Sequence, residues 1–120
     1  MNEIKNTFCK LDKPVRITEQ IWPRNTIPYV SVSCLTYNHK NYIRKSLEGF
    51  LAQETTFPVE ILINDDASTD GTQEILREYS LKYPDLIKPI YQTTNKFSKG
   101  ISVLNYNLTR SLGHFTAFCH

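Results

Sequence analysis

Apolar and polar residues alternate along this chain with two different periods. From Tyr29 to Thr36 the run YVSVSCLT is rich in β-forming residues and carries Val30, Val32, Cys34 and Thr36 at every second position, the pattern of a strand. Ile43, Leu47, Phe50 and Leu51 then recur at helical spacing, so residues 39–53 read as an amphipathic helix with Asn38 as its N-cap. Val59, Ile61, Leu62 and Ile63 make a short, nearly continuous apolar strand, the kind buried on both faces of a parallel sheet. Thr72, Ile75, Leu76, Tyr79 and Tyr83 mark a second helix that ends near Pro84, and Asp70 and Gln73 before it are spaced as a capping box. Leu86 to Gln92 reads as a third strand, and Pro89 inside it points to an edge or a bulge. Residues 93–100 read as loop. Ile101, Leu104, Leu108 and Leu112 share a face of a third helix, Gly113 ends it, and Phe115 to Cys119 starts a fourth strand.

The resulting order is βαβαβαβ, which predicts an α/β fold with a mostly parallel sheet. Residues 1–28 read as an N-terminal leader interrupted by Pro14, Pro23 and Pro28, with Trp22 packing it onto a domain formed by residues 29–120. In an open α/β sheet the ligand crevice lies outside the carboxyl ends of the strands. The fourth strand is expected to reach that crevice just where the sequence stops, at His120, so the chain reads as the N-terminal, truncated part of a larger domain.

Composition narrows the function classes. At 120 residues there is room for one domain, and 40% hydrophobic with 22% charged residues is ordinary globular usage. A formal charge of +2 gives no case for nucleic acid as a partner. No apolar run approaches the roughly 18 residues of a membrane span, and Met1 to Lys10 has no apolar core of a secretory signal. The expectation is therefore a cytoplasmic protein whose contact with a membrane is at most peripheral. Cys9, Cys34 and Cys119 are odd in number and far apart, so neither a disulfide framework nor a zinc site is predicted, and Cys34 and Cys119 read as buried thiols.

The chemistry-bearing residues collect in the expected loops. Asp65 and Asp66 lie at the end of the second strand, followed by Ala67-Ser68-Thr69-Asp70-Gly71; a carboxylate there can cap a turn or accept a charge-assisted hydrogen bond from a ligand. Thr36-Tyr37-Asn38-His39 ends the first strand, where an aromatic ring can stack on a base or merely close the strand end. His39 reads as an exposed residue at a helix start. Lys96 and Lys99 flank Phe97 in the third loop and read either as a solvated loop or as attraction for a phosphate. Asp66, Ser68, Asp70 and Gly71 fit the start of a calcium-binding EF-hand loop, but Arg77 stands where the bidentate acid belongs. Neither a G-x-G-x-x-G after the first strand nor a P-loop motif is present.

Three segments together resemble the start of a family 2 glycosyltransferase with the GT-A, Rossmann-like fold: VSVSCLTYNHKNYIRKSLEGFLAQ from Val30, VEILINDDASTDGTQEIL from Val59 and SLGHFTAFCH from Ser111. The resemblance covers residues 29–120. It implies transfer of a sugar from a nucleotide-activated donor, with a UDP-sugar expected, to a saccharide or lipid-linked acceptor in polysaccharide biosynthesis. It implies that Tyr37 stacks on the base, that Asp66 contacts the base with Asp65 beside it, that Asn38 belongs to the same motif, and that Lys99 lies near the donor. A magnesium or manganese ion is implied for the intact enzyme, with its acidic ligands and the catalytic base outside this chain, so no metal ligand and no catalytic residue is assigned here. Ala67 stands where the family often has glycine, and Leu35 where it often has proline. The alternative is a non-catalytic nucleotide-binding α/β module or remnant. A response-regulator layout fits poorly, because Tyr37-Asn38 and Gln92-Thr93 occupy the places its acids would take.

Overall fold

The structure, a computed structural model, describes residues 10–94, residue 113 and the backbone of residues 115–119. Four parallel strands form the main sheet: β2 (Val30–Thr36), β4 (Val59–Asp65), β5 (Ile87–Tyr91) and β6 (Phe115–Cys119), in the spatial order β5-β4-β2-β6. The register pairs Thr36 with Asp65 and Asp65 with Tyr91, so three strands end together. Helix α1 (Lys40–Leu51) follows β2 and helix α2 (Thr72–Lys82) follows β4. The α/β class and the parallel sheet are those expected. The third predicted helix, Lys96, Phe97, Lys99, His120 and the side chain of Cys119 lie outside the described residues.

Both helices pack on one face of the sheet. Ile43, Leu47 and Leu51 recur every fourth residue on α1, and Leu76 and Tyr79 face them from α2; all are buried with Ile61, Ile63 and Ile87 of the strands. Each aliphatic side chain removed from water this way contributes about 1.5–3 kcal/mol. Glu48 accepts a hydrogen bond from the Tyr79 hydroxyl at 2.6 Å, tying the helices together. The Arg44–Glu78 ion pair also joins them, but both side chains are more than half exposed, so it adds little. Pro89 lacks an N–H donor, and β5 is accordingly at the edge of the described sheet.

The opposite face is polar at its amino-terminal half. Ser31, Ser33 and Glu60 are all fully buried there. The Ser31 hydroxyl donates to Glu60 Oε2, Lys88 Nζ donates to Glu60 Oε1 at 2.9 Å, and Gly113 N–H donates to Ser31 Oγ at 2.8 Å. The buried carboxylate is thus both paired and hydrogen-bonded, as burial of a charge requires. A Cβ on Gly113 would stand 2.6 Å from Ser31 Oγ and 2.7 Å from its backbone N. Glycine is needed at this position for that close approach.

Residues 15–20 pack against the rest of the described chain. Val15–Arg16 (β1) pairs antiparallel with Glu54–Thr55 (β3), and Ile17, at the start of the short 3₁₀ turn Ile17–Glu19, is buried in the core. Gln20 Nε2 donates to Val15 O, Thr55 O and Thr55 Oγ1, and Trp22 Nε1 donates to Gln20 Oε1. Ile17 and Gln20, rather than Trp22 alone, anchor the segment.

Candidate functional site

The carboxyl ends of β2 and β4 are neighbours, and the two loops leaving them form one hydrogen-bonded unit. It begins at Thr36, whose carbonyl accepts Asp66 N–H at 2.9 Å and whose hydroxyl donates to Asp65 Oδ1 at 2.8 Å. Asp65 is fully buried and accepts three more bonds: Ser68 Oγ on Oδ1 at 2.6 Å, and Ser68 N and Gln73 Nε2 on Oδ2 at 2.9 and 2.8 Å. Four donors converging on one carboxylate offset the cost of burying it. Gln73 therefore does not complete the expected capping box, in which its Oε1 would accept a backbone N–H; its Nε2 instead donates to the buried Asp65 carboxylate.

The loops also cross-link through their backbones. Asn38 N–H donates to Ser68 Oγ at 2.8 Å, His39 N–H to Thr72 Oγ1 at 3.0 Å, and Lys40 N–H to Asp70 Oδ2 at 3.0 Å. In return Asn38 Oδ1 accepts Thr69 N–H at 2.8 Å. Asn38 is consequently not the N-cap of α1. It sits at φ 52°, a conformation asparagine tolerates, and its side chain is turned to the other loop. His39 occupies the N-cap position without a side-chain bond, and the helix start is capped by Asp70 from across the site. With these three N–H groups already accepted by protein atoms, the start of α1 is not arranged to cradle a phosphate.

Two more positive φ angles shape the second loop, 64° at Ala67 and 104° at Gly71. Glycine adopts such angles freely, whereas alanine is strained by about 1–2 kcal/mol. Asp70 lies between them. Oδ1 accepts the backbone N–H and the hydroxyl of Thr72 at 3.0 and 2.6 Å. Desolvation pushes the Asp70 carboxyl up, but the hydrogen bonds from the Thr72 hydroxyl, Lys40 N–H and Thr72 N–H outweigh it and hold the group below the ordinary aspartate value.

Among the residues singled out from the sequence, Tyr37, Asn38, Asp65 and Asp66 are brought to these two adjacent strand ends, while Lys99 lies outside the described residues. Tyr37 is 46% exposed and Asp66 only 3%. Thr36, Ser68, Thr72 and Gln73 belong to the same unit through bonds that their local sequence pattern does not reveal; the partners of Thr36 and Ser68 are about thirty positions away in sequence. Asn64 is fully buried, and neither polar atom of its side chain has a hydrogen-bond partner among the described residues. A separate cavity of about 610 Å³, lined by Trp22, Arg24, Lys82 and Tyr83, lies against Pro58 and Val59 at the amino end of β4, away from these loops.

The described residues do not fit a divalent-cation site. No three His, Cys, Asp or Glu side chains converge among them, and the oxygens of Asp65 and Asp70 face protein donors. Nor is any helix among them long and apolar enough to cross a membrane.

Comparison with known proteins places this arrangement. An uncharacterised protein of Mycobacterium tuberculosis is 52% identical over 66 residues, covering 55% of this chain and 19% of that protein. The dTDP-rhamnosyl transferase RfbG of Shigella flexneri is 39% identical over 62 residues, 52% of this chain and 21% of RfbG. The chain thus spans about a fifth of the length of each. Among solved structures, the mannosyltransferase PcManGT of Pyrobaculum calidifontis, in complex with GDP-Man and Mn2+, aligns with 29% identity and a TM-score of 0.48 over 66% of this chain and 25% of that one. The family model for glycosyl transferase family 2 matches residues 31–119. A match over that much of the sequence, spanning both loops and all four main strands, means that the chain belongs to glycosyl transferase family 2.

Proposed function

We propose that the paired loops bind the nucleoside of a nucleotide-sugar donor, a UDP-sugar, and that the whole protein transfers the sugar to a saccharide or lipid-linked acceptor in cytoplasmic polysaccharide biosynthesis. One observation carries this reading: an exposed Tyr37 ring and the Asp66 carboxylate stand at adjacent carboxyl ends of parallel strands, in loops locked to each other. The ring supplies a stacking face for the base, and the carboxylate accepts an N–H of its edge. Uracil and thymine share that imide N–H, and a dTDP-sugar enzyme is among the relatives, which supports a pyrimidine. Asn38 and Asp65 serve the same site by holding the loops in register, and Lys99 attracts the diphosphate. The magnesium or manganese ion of the intact enzyme takes its ligands outside the described residues. Contact with a membrane is peripheral.

Titration calorimetry with UDP, dTDP and GDP tests the reading. UDP and dTDP should bind, and GDP should bind less well. Tyr37→Ala should weaken UDP binding by about 1–3 kcal/mol, and Asp66→Asn should weaken it because an amide is a poorer acceptor. Unchanged affinity in both variants refutes the site.

A further inference from the structure

Helix α1 carries no cap of its own. His39 makes no side-chain bond at the N-cap position, and the first turn has no acidic residue. Helix α2 likewise has an N-cap residue, Gly71, that supplies no side-chain bond, although Glu74 stands in its first turn. One carboxylate serves both: Asp70 Oδ2 accepts Lys40 N–H from α1, while Oδ1 accepts the Thr72 N–H and hydroxyl of α2. Thr72 Oγ1, oriented by its bond to Asp70, in turn accepts His39 N–H. The backbone that carries Tyr37 into α1 is therefore placed by acceptors from the other loop, and Asp70 lies at the centre of them.

We propose that Asp70 is a positioning residue for nucleotide binding: by fixing the start of α1 against the second loop it holds Tyr37 in place relative to Asp66. This rests on the nucleoside site proposed above. Asp70 itself need not touch the nucleotide. Its effect is transmitted through Lys40 N–H on one side and Thr72 on the other. Two oxygens are required because two helices must be held at once. An amide has only one oxygen; if that stays with Thr72, the –NH₂ is turned toward Lys40 N–H, donor against donor. A serine hydroxyl can keep the short bond to Thr72 but cannot span to Lys40.

The test uses the 120-residue chain with UDP as probe, at a temperature where each variant is folded by circular dichroism. Asp70→Asn and Asp70→Ser should each bind UDP roughly tenfold more weakly, the equivalent of one lost helix cap. In nitrogen–proton NMR spectra the Lys40 amide should move upfield in both variants, while in Asp70→Ser the Thr72 amide should shift less. A purely structural role would lower the melting temperature without changing UDP affinity in the folded state. Should Asp70→Asn fail to fold, Asp70→Ser carries the test through its retained bond to α2. Tyr37→Ala separates the two levels of argument. If Tyr37→Ala loses affinity and the Asp70 variants do not, positioning by Asp70 is overturned and the nucleoside site stands. If Tyr37→Ala also binds as the parent does, or the parent binds no UDP, the site is overturned and the positioning role with it.

Discussion

Removing the Asp65 carboxylate is the severest test of the idea that the two loops form one unit. The side chain is fully buried and accepts hydrogen bonds from Thr36 Oγ1, Ser68 Oγ, Ser68 N and Gln73 Nε2. Bonds to a charged acceptor contribute about 1.5–3 kcal/mol each, but the four do not simply add. Burying the carboxylate is itself unfavourable by several kcal/mol, the two hydroxyls can rotate, and the half-buried Gln73 amide can turn to water. Ser68 N–H has no such freedom. For Asp65→Ala the net loss should be the roughly 1–3 kcal/mol of leaving Ser68 N–H without an acceptor, plus the packing lost with the side chain, because the groups left behind are neutral donors. In Asp65→Asn the amide keeps the shape and one oxygen for the hydroxyls, and Gln73 can flip to accept from the new –NH₂. Ser68 N–H remains opposed by a donor, at about 1–3 kcal/mol. Thr36→Val, which removes one donor, should cost less than either. Urea denaturation followed by far-ultraviolet circular dichroism measures all three, and the m-value must stay constant for the comparison to hold. A loss below about 1 kcal/mol for Asp65→Ala would refute the account, since the smallest contribution assigned to one charged bond already exceeds it. An Asp65→Asn variant of parental stability that fails to bind UDP would instead make Asp65 a ligand contact.

Ala67→Gly should raise stability by about 0.5–1 kcal/mol, because relief at φ 64° exceeds the entropy glycine adds to the unfolded chain; a lowered melting temperature would contradict this. Gly113→Ala should destabilise by about 1–3 kcal/mol in urea titration, since its methyl group meets backbone as well as side chain at Ser31. Asn64→Leu should stabilise by about 1–3 kcal/mol by removing two polar atoms that have no partner among the described residues, and a loss would reveal a partner elsewhere in the chain. Asp70 has a folded pKa below its unfolded one, so its contribution is complete above the ordinary aspartate range and is lost as pH falls through the folded value. Stability should therefore rise with pH in that acid window more steeply in the parent than in Asp70→Asn; equal slopes would exclude the assignment.

The elements were legible wherever one period dominated. Val59 to Ile63 reads as a doubly buried strand because nothing interrupts it, and β4 continues only to Asn64 and Asp65, polar residues that an apolar pattern does not extend to. Ile43, Leu47 and Leu51 gave α1 to within two residues at its end. What escaped the pattern is non-local. Asn38 has the right residue type and place for an N-cap, yet its oxygen is claimed by Thr69 from the next loop. Asp70 with Gln73 has capping-box spacing, yet Gln73 turns to a buried charge instead. Ile17 lies among prolines and charges, and it is buried because the pairing of Val15 and Arg16 with residues 54–55 brings the segment onto the core. No periodicity along one segment can reveal a partner contributed by another. The loops were recognised as chemically rich because two carboxylates and an aromatic residue fell at strand ends; which groups organise and which are presented to solvent depended on those distant partners.

The order of strands also bears on how the chain folds. β2 is central, with β4 on one side and β6 on the other. Its contact with β4 joins Thr36 to Asp65, 29 positions apart, whereas the contact beside β6 joins Ser31 to Gly113 across 82 positions. Closing the longer loop costs about 0.9 kcal/mol more in chain entropy, and during synthesis the distal partner emerges later by seconds. β2 and β4 should therefore zip first, leaving the other edge of β2 with unpaired backbone groups, open to a strand from a second chain until β6 docks. Pulse-labelled hydrogen exchange should find β2–β4 amides protected before those of β6, and simultaneous protection would show that the sheet closes in one step.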